Sequence, residues 1–276
     1  MSLPFSKMHG IGNDFVVIDC RERALALDVA AIRRLGDRHF GVGFDQLLTI
    51  EPSTSEDCAF NYGIWNSDGS RSGQCGNGVR CVAAWLDREG ALDRGLVRLM
   101  SPSGPVSVEA LGDARIRVDM GEPRFSPASL PFVVAQESDR YSLDVDGRTV
   151  EFGAVSMGNP HAVIVVDDVD SAEVGSIGPQ IERADAFPRG CNVGFAQLRL
   201  RSAIDLRVWE RGVGETLACG SGACAAMAVL RRRGDVDCDV EVTLPGGTLA
   251  IQWQGIGYPL WMTGPATFAF EGVWHE

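Results

Sequence analysis

The sequence consists of two similar halves, and this duplication constrains the fold more than any other feature. Residues 65–69 read WNSDG and residues 75–78 read CGNG, whereas residues 209–213 read WERGV and residues 219–222 read CGSG. The two tryptophans and the two cysteines are each 144 positions apart. Internal similarity of this kind indicates that one structural unit occurs twice in the chain. We therefore expect two pseudosymmetric domains.

Four further matches occur in the same order along both halves, with a slowly drifting offset that chance does not explain. They are residues 12–15 (GNDF) and 158–161 (GNPH) at 146, Gln46 and Asn192 at 146, residues 102–104 (PSG) and 245–247 (PGG) at 143, and residues 120–123 (MGEP) and 262–265 (MTGP) at 142. The junction falls near residues 121–131, where proline and serine are dense. We expect residues 1–121, joined by a C-terminal strand at 265–276, to form the half with Cys75, and residues 122–264 to form the half with Cys219.

Each half shows the same order of predicted strands. Short apolar or alternating runs predict strands, and most follow one another without an intervening helix, which favours largely antiparallel sheets. The predicted strands are residues 15–19, 58–65, 96–100, 116–120, 162–166, 204–209, 240–244 and 249–253. With the helices described next, these strands predict a mixed α/β (α+β) fold.

Two kinds of helix are predicted in each half. Residues 79–88 and 223–233 are rich in alanine and apolar on nearly every face, so we expect each to be a buried helix surrounded by the strands of its half. Two more amphipathic segments predict peripheral helices. They are residues 28–39 with Asp28 as the N-cap and residues 171–183 with Ser171 as the N-cap.

Composition excludes several classes of partner. A net charge of −12 at pH 7 argues against nucleic acid and against an anionic membrane. No stretch approaches the length of a transmembrane span, and the N-terminus lacks a basic segment followed by an apolar run. We therefore expect a cytoplasmic protein.

The eight cysteines are expected to be reduced thiols in that compartment. None forms a Cys-x-x-Cys pair and no histidine lies at metal-ligand spacing from two of them, which disfavours zinc. Six are expected to be small buried hydrophobic residues, namely Cys20, Cys58, Cys81, Cys191, Cys224 and Cys238.

Cys75 and Cys219 differ from the other cysteines because each precedes a predicted buried helix in a Cys-Gly-x-Gly turn. The first N–H groups of a helix lack intrahelical partners and the dipole is positive there, so the turn can bind a carboxylate. The same field is expected to lower the pKa of the cysteine. A tight structural turn is the alternative reading of one copy, but two copies in register favour a matched pair of acid and base thiols.

A pair of thiols suits inversion of a stereocentre, which needs a base on one face of a carbon and an acid on the other. A pyridoxal phosphate enzyme would need a Schiff-base lysine. The only lysine is Lys7, far from any phosphate-binding signature. We therefore expect no cofactor and no metal.

The chain is similar to the diaminopimelate epimerases from Phe5 to its C-terminus. The similar segments are KMHGIGNDFVVID (7–19), RHFGVGFDQLL (38–48), QCGNGVRC (74–81), VSMGNPHAVI (155–164), ERGVGETLACGSGACAA (210–226) and LPGGTL (244–249). This resemblance implies cofactor-independent interconversion of LL- and meso-2,6-diaminopimelate, which serves lysine and peptidoglycan precursor synthesis. It also implies two mainly antiparallel, β-barrel-like domains, each wrapped around a central helix, with the site in the cleft between them.

The resemblance also implies a role for each matching residue. Cys75 and Cys219 would be the catalytic acid/base pair, tuned by His161 and Glu210. Backbone N–H groups of Gly76, Asn77, Gly220 and Ser221 would hold the carboxylate at the reacting centre. Asn66, Asn192 and Arg211 would hold the distal centre, and Asn13, Gln46, Asn159 and Glu210 would complete the substrate pocket.

Two of these residues break the internal symmetry. Arg211 corresponds to Ser67 and Glu210 corresponds to Asn66. A guanidinium suits a bidentate carboxylate contact, and Glu210 suits a substrate ammonium. This asymmetry favours a substrate with two charged ends, and it argues against a proline-type racemase of the same fold. His161 replaces Phe15, so a packed, hydrogen-bonded ring is an equal alternative to a tuning role.

The sequence also bears on an alternative role of the two thiols and on the assembly of the chain. A thiol redox protein that uses Cys75 and Cys219 as a reversible disulfide is an alternative from another functional class. Some family members have a tyrosine near the C-terminus that contributes to a dimer contact, whereas this chain has Phe270. The apolar residues 266–270 still suit an interface, so we expect a homodimer.

Overall fold

A computed structural model describes residues 2–23, 27–73 and 75–275 of the chain. The chain divides into two compact units, and each is described by itself. Unit 1 consists of Met1–Asp119 and Thr263–Glu276, and unit 2 consists of Met120–Met262.

The first segment of unit 1 alternates strands with two helices. Its elements are β1 (Ser2–Gly10), β2 (Asn13–Asp19), α1 (Val29–Gly36), β3 (Gln46–Pro52), β4 (Phe60–Asn66), α2 (Gly76–Arg88), β5 (Leu96–Ser101), β6 (Gly104–Ala110) and β7 (Arg115–Asp119).

Unit 2 begins with a short 3-10 helix and then repeats the order of elements found in unit 1, with two additional strands, one at the start and one before the second α-helix. Its elements are the 3-10 helix Pro127–Ser129, β8 (Tyr141–Val145), β9 (Arg148–Ser156), β10 (Pro160–Val165), α3 (Val174–Glu182), β11 (Asn192–Leu200), β12 (Ala203–Glu210), β13 (Gly214–Thr216), α4 (Gly220–Arg233), β14 (Asp239–Leu244) and β15 (Gly247–Gln252). The chain returns to unit 1 within β16 (Trp261–Pro265) and ends with β17 (Thr267–His275), which pairs antiparallel with β1.

The direction of strand pairing follows from where the helices lie in the sequence. Strands that follow one another directly pair antiparallel, as β3 does with β4 and β11 does with β12. Strands separated by a helix pair parallel, because a crossover returns the chain to the same end of the sheet. Thus β2 pairs parallel with β3 across α1, and β10 pairs parallel with β11 across α3. The predominance of antiparallel pairing was predicted from the sequence, and the parallel pairs add a crossover at each helix.

The strand register repeats between the two units. Phe15 is paired with Gln46 in unit 1, and His161 is paired with Asn192 in unit 2. These are the positions that the sequence repeat aligns. The duplication therefore extends to the strand register, which confirms the expectation of two pseudosymmetric halves.

The two central helices are buried within their own units, as predicted. α2 packs against β1, β2, β3, β6 and β7, and α4 packs against β9, β10, β11, β12, β14 and β15. Both begin three residues before the predicted start, because the Gly-x-Gly segment that follows each cysteine forms the first helical turn. α4 ends at Gly234, whose φ of 82° is a left-handed conformation that favours glycine. Among the helices of the described residues, none is long and apolar enough to cross a membrane.

The peripheral helices test the two predicted N-caps. Asp28 caps α1, since its Oδ1 accepts a hydrogen bond of 2.7 Å from the N–H of Ala31. The prediction for Ser171 is wrong. α3 begins at Val174 with Glu173 at the N-cap position, because the Ser171 hydroxyl instead donates to Asp168 Oδ2 at 2.7 Å.

Five of the six cysteines expected to be buried are buried. Cys238 is the exception, and the expectation for it was wrong. It lies immediately before β14 rather than in a core, is only partly buried, and its thiol donates to Asp239 Oδ2 at 3.2 Å.

The packing of α3 predicts a stability difference between two glycines of that helix. A Cβ at Gly178 would lie 2.7 Å from Cγ of Trp209, whereas a Cβ at Gly175 would meet no atom within 4 Å. Gly178→Ala is expected to lower the free energy of unfolding by about 1–3 kcal/mol through overpacking. Gly175→Ala should raise it by up to about 1 kcal/mol, because alanine has a smaller unfolded-state entropy. Guanidinium unfolding measures both, and equal midpoints would contradict this packing.

Candidate active site

In unit 1, Cys75 is the N-cap residue of the buried helix α2. Its Sγ accepts a hydrogen bond of 3.4 Å from the N–H of Gly78, in the first turn of the helix. A donor from a helix N-terminus favours the thiolate form of a cysteine. The sequence-based expectation that this thiol opens a helix is therefore met.

Two asparagines of unit 1 lie against this thiol. Asn13, the first residue of β2, has its Oδ1 3.7 Å from Sγ of Cys75. The same oxygen accepts a hydrogen bond of 3.2 Å from Nδ2 of Asn77, the second residue of α2. On its other side, Nδ2 of Asn13 donates to Asp45 Oδ2 at 2.8 Å. The strand β2 and the helix α2 thus bring three predicted site residues together.

Gln46 and Asn66 form a second pair on adjacent strands. They face each other in the register of β3 and β4, and Nε2 of Gln46 donates to Oδ1 of Asn66 at 2.9 Å. Nδ2 of Asn66 donates in turn to the Ser70 hydroxyl at 3.0 Å. Because Gln46 is also paired with Phe15 of β2, these residues lie at the same end of the sheet as Asn13.

In unit 2, Cys219 is the N-cap residue of α4 and is buried, with 4% of its surface exposed. Its Sγ lies 3.7 Å from the hydroxyl oxygen of Ser221. A Cβ at Gly222 would lie 3.1 Å from this sulfur and 3.0 Å from Cγ2 of Val208, so a larger residue there would crowd the thiol.

The charge state of Cys219 corrects the sequence-based expectation. A helix N-terminus was expected to lower the pKa of the thiol. Instead, burial and then the negative charge of Glu210 raise the pKa of Cys219 well above its ordinary value. Hydrogen bonds from Ser221 and from the N–H of Gly222 act in the opposite direction but are outweighed. Desolvation of a charged form is a large cost, so Cys219 is a neutral thiol in this structure.

Glu210 lies at the end of β12, where its carboxylate is held by Thr216. The Thr216 hydroxyl, on β13, donates to Oε1 of Glu210 at 2.5 Å. Residues 210 and 214 are paired across the hairpin between β12 and β13, which fixes the position of the carboxylate. Thr216 was not singled out in the sequence, although it lies inside the segment that resembles the family.

His161 lies at the centre of a buried polar network in unit 2. Its Nε2 is 3.1 Å from Oδ1 of Asn159, 3.1 Å from the hydroxyl of Ser221 and 3.4 Å from Nδ2 of Asn192. Burial, and then the positive charge of Arg211, lower the pKa of His161 to about 3. The ring is therefore a neutral hydrogen-bonding group near Ser221, and a cationic imidazolium is excluded at neutral pH.

The turn after β12 holds Arg211. The N–H of Arg211 donates to Oδ1 of Asn192 at 2.9 Å, and its Nη1 donates to the carbonyl of Arg189 at 2.9 Å. A cavity of about 550 Å³ lies beside this guanidinium, lined by residues 182–185 and 187–190 and by Arg211 itself. Its lining has mixed charge, since Glu182 and Asp185 lie there together with the arginines at 183, 189 and 211.

Glu182 was missed in the sequence but braces this turn from α3. Its Oε2 accepts from the indole N–H of Trp209 at 2.7 Å, and its Oε1 accepts from the N–H of Gly212 at 2.9 Å. Glu182 therefore holds the two residues that flank Glu210 and Arg211 in the chain. No sequence signal identifies Glu182, because its partners are about 30 residues away and are reached only through the packing of α3 on β12.

Beside each thiol, an asparagine at or just before a strand start is hydrogen-bonded to a residue in the first turn of the central helix. In unit 1, Asn77 donates to Asn13 beside Cys75. In unit 2, Nδ2 of Asn159 donates to the Ser221 hydroxyl at 3.4 Å beside Cys219. The pairs Asn13 and Asn159, and Asn77 and Ser221, are those that the sequence repeat aligns.

A metal ion would need a cluster of ligating side chains, and an aldehyde cofactor would need a lysine amine. In the part of the chain that the structure describes, no cluster of three or more His, Cys, Asp or Glu side chains could bind a metal ion. The amine of Lys7 is largely buried and donates to Oδ2 of Asp14 and to the carbonyl of Gly43. It is thus held in an ion pair with Asp14.

Comparisons with known proteins identify the family of the chain. A family model described as diaminopimelate epimerase matches residues 5–126 and 153–269. The diaminopimelate epimerase of Xanthomonas axonopodis pv. citri (strain 306) is 54% identical over 275 residues, which covers 99% of this chain and 97% of that protein. The diaminopimelate epimerase of Stutzerimonas stutzeri (strain A1501) is 49% identical and covers 99% of each chain.

Solved structures with much lower sequence identity share the fold. A probable proline racemase from Agrobacterium radiobacter K84 superposes with a TM-score of 0.69 at 15% identity, over 98% of this chain and 92% of that one. A hydroxyproline epimerase from Agrobacterium vitis superposes with a TM-score of 0.69 at 14% identity, over 99% and 92%. Matches of nearly full length in both sequence and fold lead to one assignment. The chain belongs to the diaminopimelate epimerase family and is an isomerase.

Proposed function

We propose that this chain interconverts LL- and meso-2,6-diaminopimelate, and that Cys75 and Cys219 are the two proton-transfer groups. The observation that supports this most directly is the placement of one thiol at the start of each buried central helix, in matching polar surroundings. The relatives with about half of their residues identical to this chain are named for this activity.

The proposed chemistry uses the two thiols in opposite senses. The thiolate of one cysteine removes the α-proton from one face of the carbon, and the thiol of the other supplies a proton to the opposite face. The roles exchange in the reverse direction. No bond other than C–H and S–H is made or broken, so no redox partner is needed. The chemistry requires both sulfur atoms to reach the same α-carbon.

The α-proton of an amino acid is weakly acidic, so the carboxylate of the reacting centre must be stabilised as charge develops on it. Backbone N–H groups in the first turns of α2 and α4 are suited to this because they lack intrahelical partners. We assign this role to the N–H groups of Gly76, Asn77, Gly220 and Ser221. Together they would provide donors from two helix N-termini without a metal or pyridoxal phosphate.

The raised pKa of Cys219 suits an acid that keeps its proton until the substrate is bound. The negative charge of Glu210 contributes to that rise. A substrate ammonium beside Glu210 would compensate this charge, which would ease ionisation of the thiol when it acts as the base. Glu210 would thus tune Cys219 by charge, whereas His161 would tune it as a neutral ring hydrogen-bonded to Ser221.

The distal end of the substrate is assigned to the residues that break the internal symmetry. Arg211, held by Asn192 and beside a cavity of about 550 Å³, suits the distal carboxylate. Asn66 would assist it, and Asn13, Gln46 and Asn159 would complete the pocket. A proline-type substrate has no second charged centre, so these features favour diaminopimelate over the substrates named for the structural relatives.

The assembly and setting of the enzyme are part of the same proposal. We assign the two units to the two halves of the duplicated sequence, with Cys75 in one domain and Cys219 in the other. A homodimer is supported by the apolar C-terminal strand β17, on which Phe270 is 52% exposed and Val273 is 49% exposed. The cytoplasm is the compartment we propose, because its reducing conditions keep both thiols available.

Replacing either thiol tests the two-base chemistry. Cys75→Ala and Cys219→Ala are each expected to lower epimerisation at least about 100-fold, because each removes a proton-transfer group. Chirally resolved product analysis, with deuterium uptake at Cα from heavy water, measures this. Cys238→Ala, which removes a partly exposed cysteine outside the site, is the control and should keep full activity. Full epimerisation by either active-site variant would refute the mechanism.

Removing the guanidinium tests the assignment of the distal end. Arg211→Ala is expected to raise KM for diaminopimelate by about 10- to 100-fold, because a charged hydrogen bond worth about 1.5–3 kcal/mol is lost. Arg148→Ala serves as the control, since Arg148 is exposed and pairs with Glu173 on the surface of the same unit. An unchanged KM in Arg211→Ala would remove Arg211 from the substrate site.

The buried imidazole gives a prediction about pH. Burial lowers the pKa of His161 to about 3 in the folded chain, whereas a histidine in the unfolded chain has a pKa of about 6.5. Below about pH 6.5 the ring therefore binds a proton more readily in the unfolded chain than in the folded chain. Stability should therefore fall as the pH is lowered from about 6.5, and His161→Gln should weaken this dependence. NMR of the ring protons should show no titration of His161 from about pH 5 to about pH 9. An imidazolium at neutral pH would contradict the buried network.

A further inference from the structure

The side-chain amide of Asn13 has a different partner on each side. Its Oδ1 lies 3.7 Å from Sγ of Cys75 and accepts from Nδ2 of Asn77 at 3.2 Å. Its Nδ2 donates to Oδ2 of Asp45 at 2.8 Å. The orientation of this amide decides whether the thiol faces a hydrogen-bond acceptor or a donor.

Asp45 is the group that fixes this orientation. Asparagine side chains can turn over, and Asn77 could turn together with Asn13, so two amides alone leave the direction open. An ionised carboxylate only accepts hydrogen bonds, so Nδ2 of Asn13 must face it. The thiol of Cys75 is then left facing Oδ1.

Asp45 is itself firmly held. Its Oδ2 also accepts from the N–H of Asp14 at 3.1 Å, and its own N–H donates to Oδ1 of Asp14 at 3.0 Å. Oδ1 of Asp45 accepts from Nη2 of Arg38 at 2.8 Å. If the carboxylate turned away from Asn13, it would lose the hydrogen bonds that it accepts from the N–H of Asp14 and from Arg38.

We propose that Asp45 is a positioning residue that holds the carbonyl of Asn13 toward Cys75 and so favours the protonated form of this thiol. A thiol can donate to Oδ1, whereas a thiolate would face the negative end of the amide dipole. The N–H of Gly78 acts in the opposite direction by donating to Sγ. The proton affinity of Cys75 then reflects a balance between the helix N-terminus and the amide that Asp45 orients.

Tyr62, Cys81 and Asp14 are titratable groups of the same unit, and they do not supply this effect. Burial raises the pKa of Tyr62 on β4 and raises that of Cys81 on α2 to about 12, so both are neutral. Although burial opposes it, hydrogen bonds from Arg38 and Lys7 lower the pKa of Asp14, so that carboxylate is ionised and paired. These charges are matched within their own network.

Unit 2 lacks the corresponding carboxylate. The sequence repeat aligns Gln46 with Asn192, so the residue of unit 2 equivalent to Asp45 is the buried Cys191. There the amide of Asn159 has Nδ2 toward Ser221 and Oδ1 toward His161. The two thiols are thus set differently within one duplicated frame, and Asp45 is the source of the difference on the Cys75 side.

The test is the pH dependence of alkylation of Cys75 by iodoacetamide in the full-length chain. Tryptic cleavage after Arg71 and Arg80 isolates Cys75 in the peptide SGQCGNGVR (72–80), so its labelling can be read by mass spectrometry apart from the other cysteines. In Asp45→Ala the amide of Asn13 is free to turn Nδ2 toward the sulfur. The alkylation midpoint should move down by roughly one pH unit.

Asp113→Ala is the matched control. Asp113 is 50% exposed against 45% for Asp45, accepts from Arg115 as Asp45 does from Arg38, and also accepts a backbone N–H. It lies away from Asn13, so its removal should leave the midpoint unchanged. Asp45→Asn, which keeps the side-chain volume and one acceptor oxygen, should give a smaller shift and serves if Asp45→Ala does not fold.

A double-mutant cycle separates positioning from a general structural effect. In an Asn13→Ala background the amide is absent, so adding Asp45→Ala should produce no further shift. An unchanged or higher midpoint in the Asp45 variants, an equal shift in Asp113→Ala, or a shift that persists without Asn13 would each overturn the inference.

The inference rests on the proposed function only in calling Cys75 a catalytic thiol. Alkylation needs neither substrate nor turnover, so its outcome is separate from the epimerisation assay. An active Cys75→Ala variant would refute the proposed mechanism and leave the positioning result standing. An unshifted midpoint in Asp45→Ala would refute the positioning role of Asp45 and leave the proposed mechanism standing.

Discussion

The site depends on the contact between a cysteine side chain and the first turn of a buried helix. Cys75 and Cys219 are each the N-cap residue of their helix, with glycines in the next positions so that the chain can enter the helix directly behind the sulfur. The helices are surrounded by strands of their own unit. The thiols are therefore held by two structures that cannot move without disrupting a core, and the residues at the strand ends are positioned relative to them.

Burial decides the electrostatics of this arrangement. A helix N-terminus stabilises a negative charge, but the cost of desolvating a thiolate is larger in the surroundings of Cys219, and Glu210 adds to it. The same burial keeps His161 neutral. Under the proposed function, the ammonium and carboxylate groups of the substrate would act strongly on the thiols, because charge interactions are stronger in a buried, low-dielectric site. Charge complementarity to the substrate and control of proton affinity would then depend on the same contacts.

The two halves share one backbone arrangement, and they differ at a few residues close to each thiol. His161 corresponds to Phe15, Glu210 to Asn66, Arg211 to Ser67 and Cys191 to Asp45. In unit 2 these changes place the carboxylate of Glu210 near Cys219 and a neutral imidazole against Ser221, which lies beside the thiol. They also place the guanidinium of Arg211 on the turn beyond β12. In unit 1 the charge lies farther from the thiol, in the ionic network of Lys7, Asp14, Arg38 and Asp45. It acts on Cys75 through an oriented amide. Under the proposed function, these differences would let a symmetric backbone distinguish the two ends of the substrate.

The sequence by itself determined the duplication, the two buried helices, the cysteines that open them and most of the polar residues around those cysteines. These features are local patterns or repeats, which composition and spacing reveal. The tertiary structure alone decided that Ser171 bonds Asp168 instead of capping α3, that the thiol of Cys219 is neutral, and that Glu182 and Asp45 hold the residues beside the site. The charge state of Cys219 depends on its burial. The contacts of Glu182 and Asp45 join residues about 30 positions apart in the chain, which only helix packing and the parallel strand crossovers bring together.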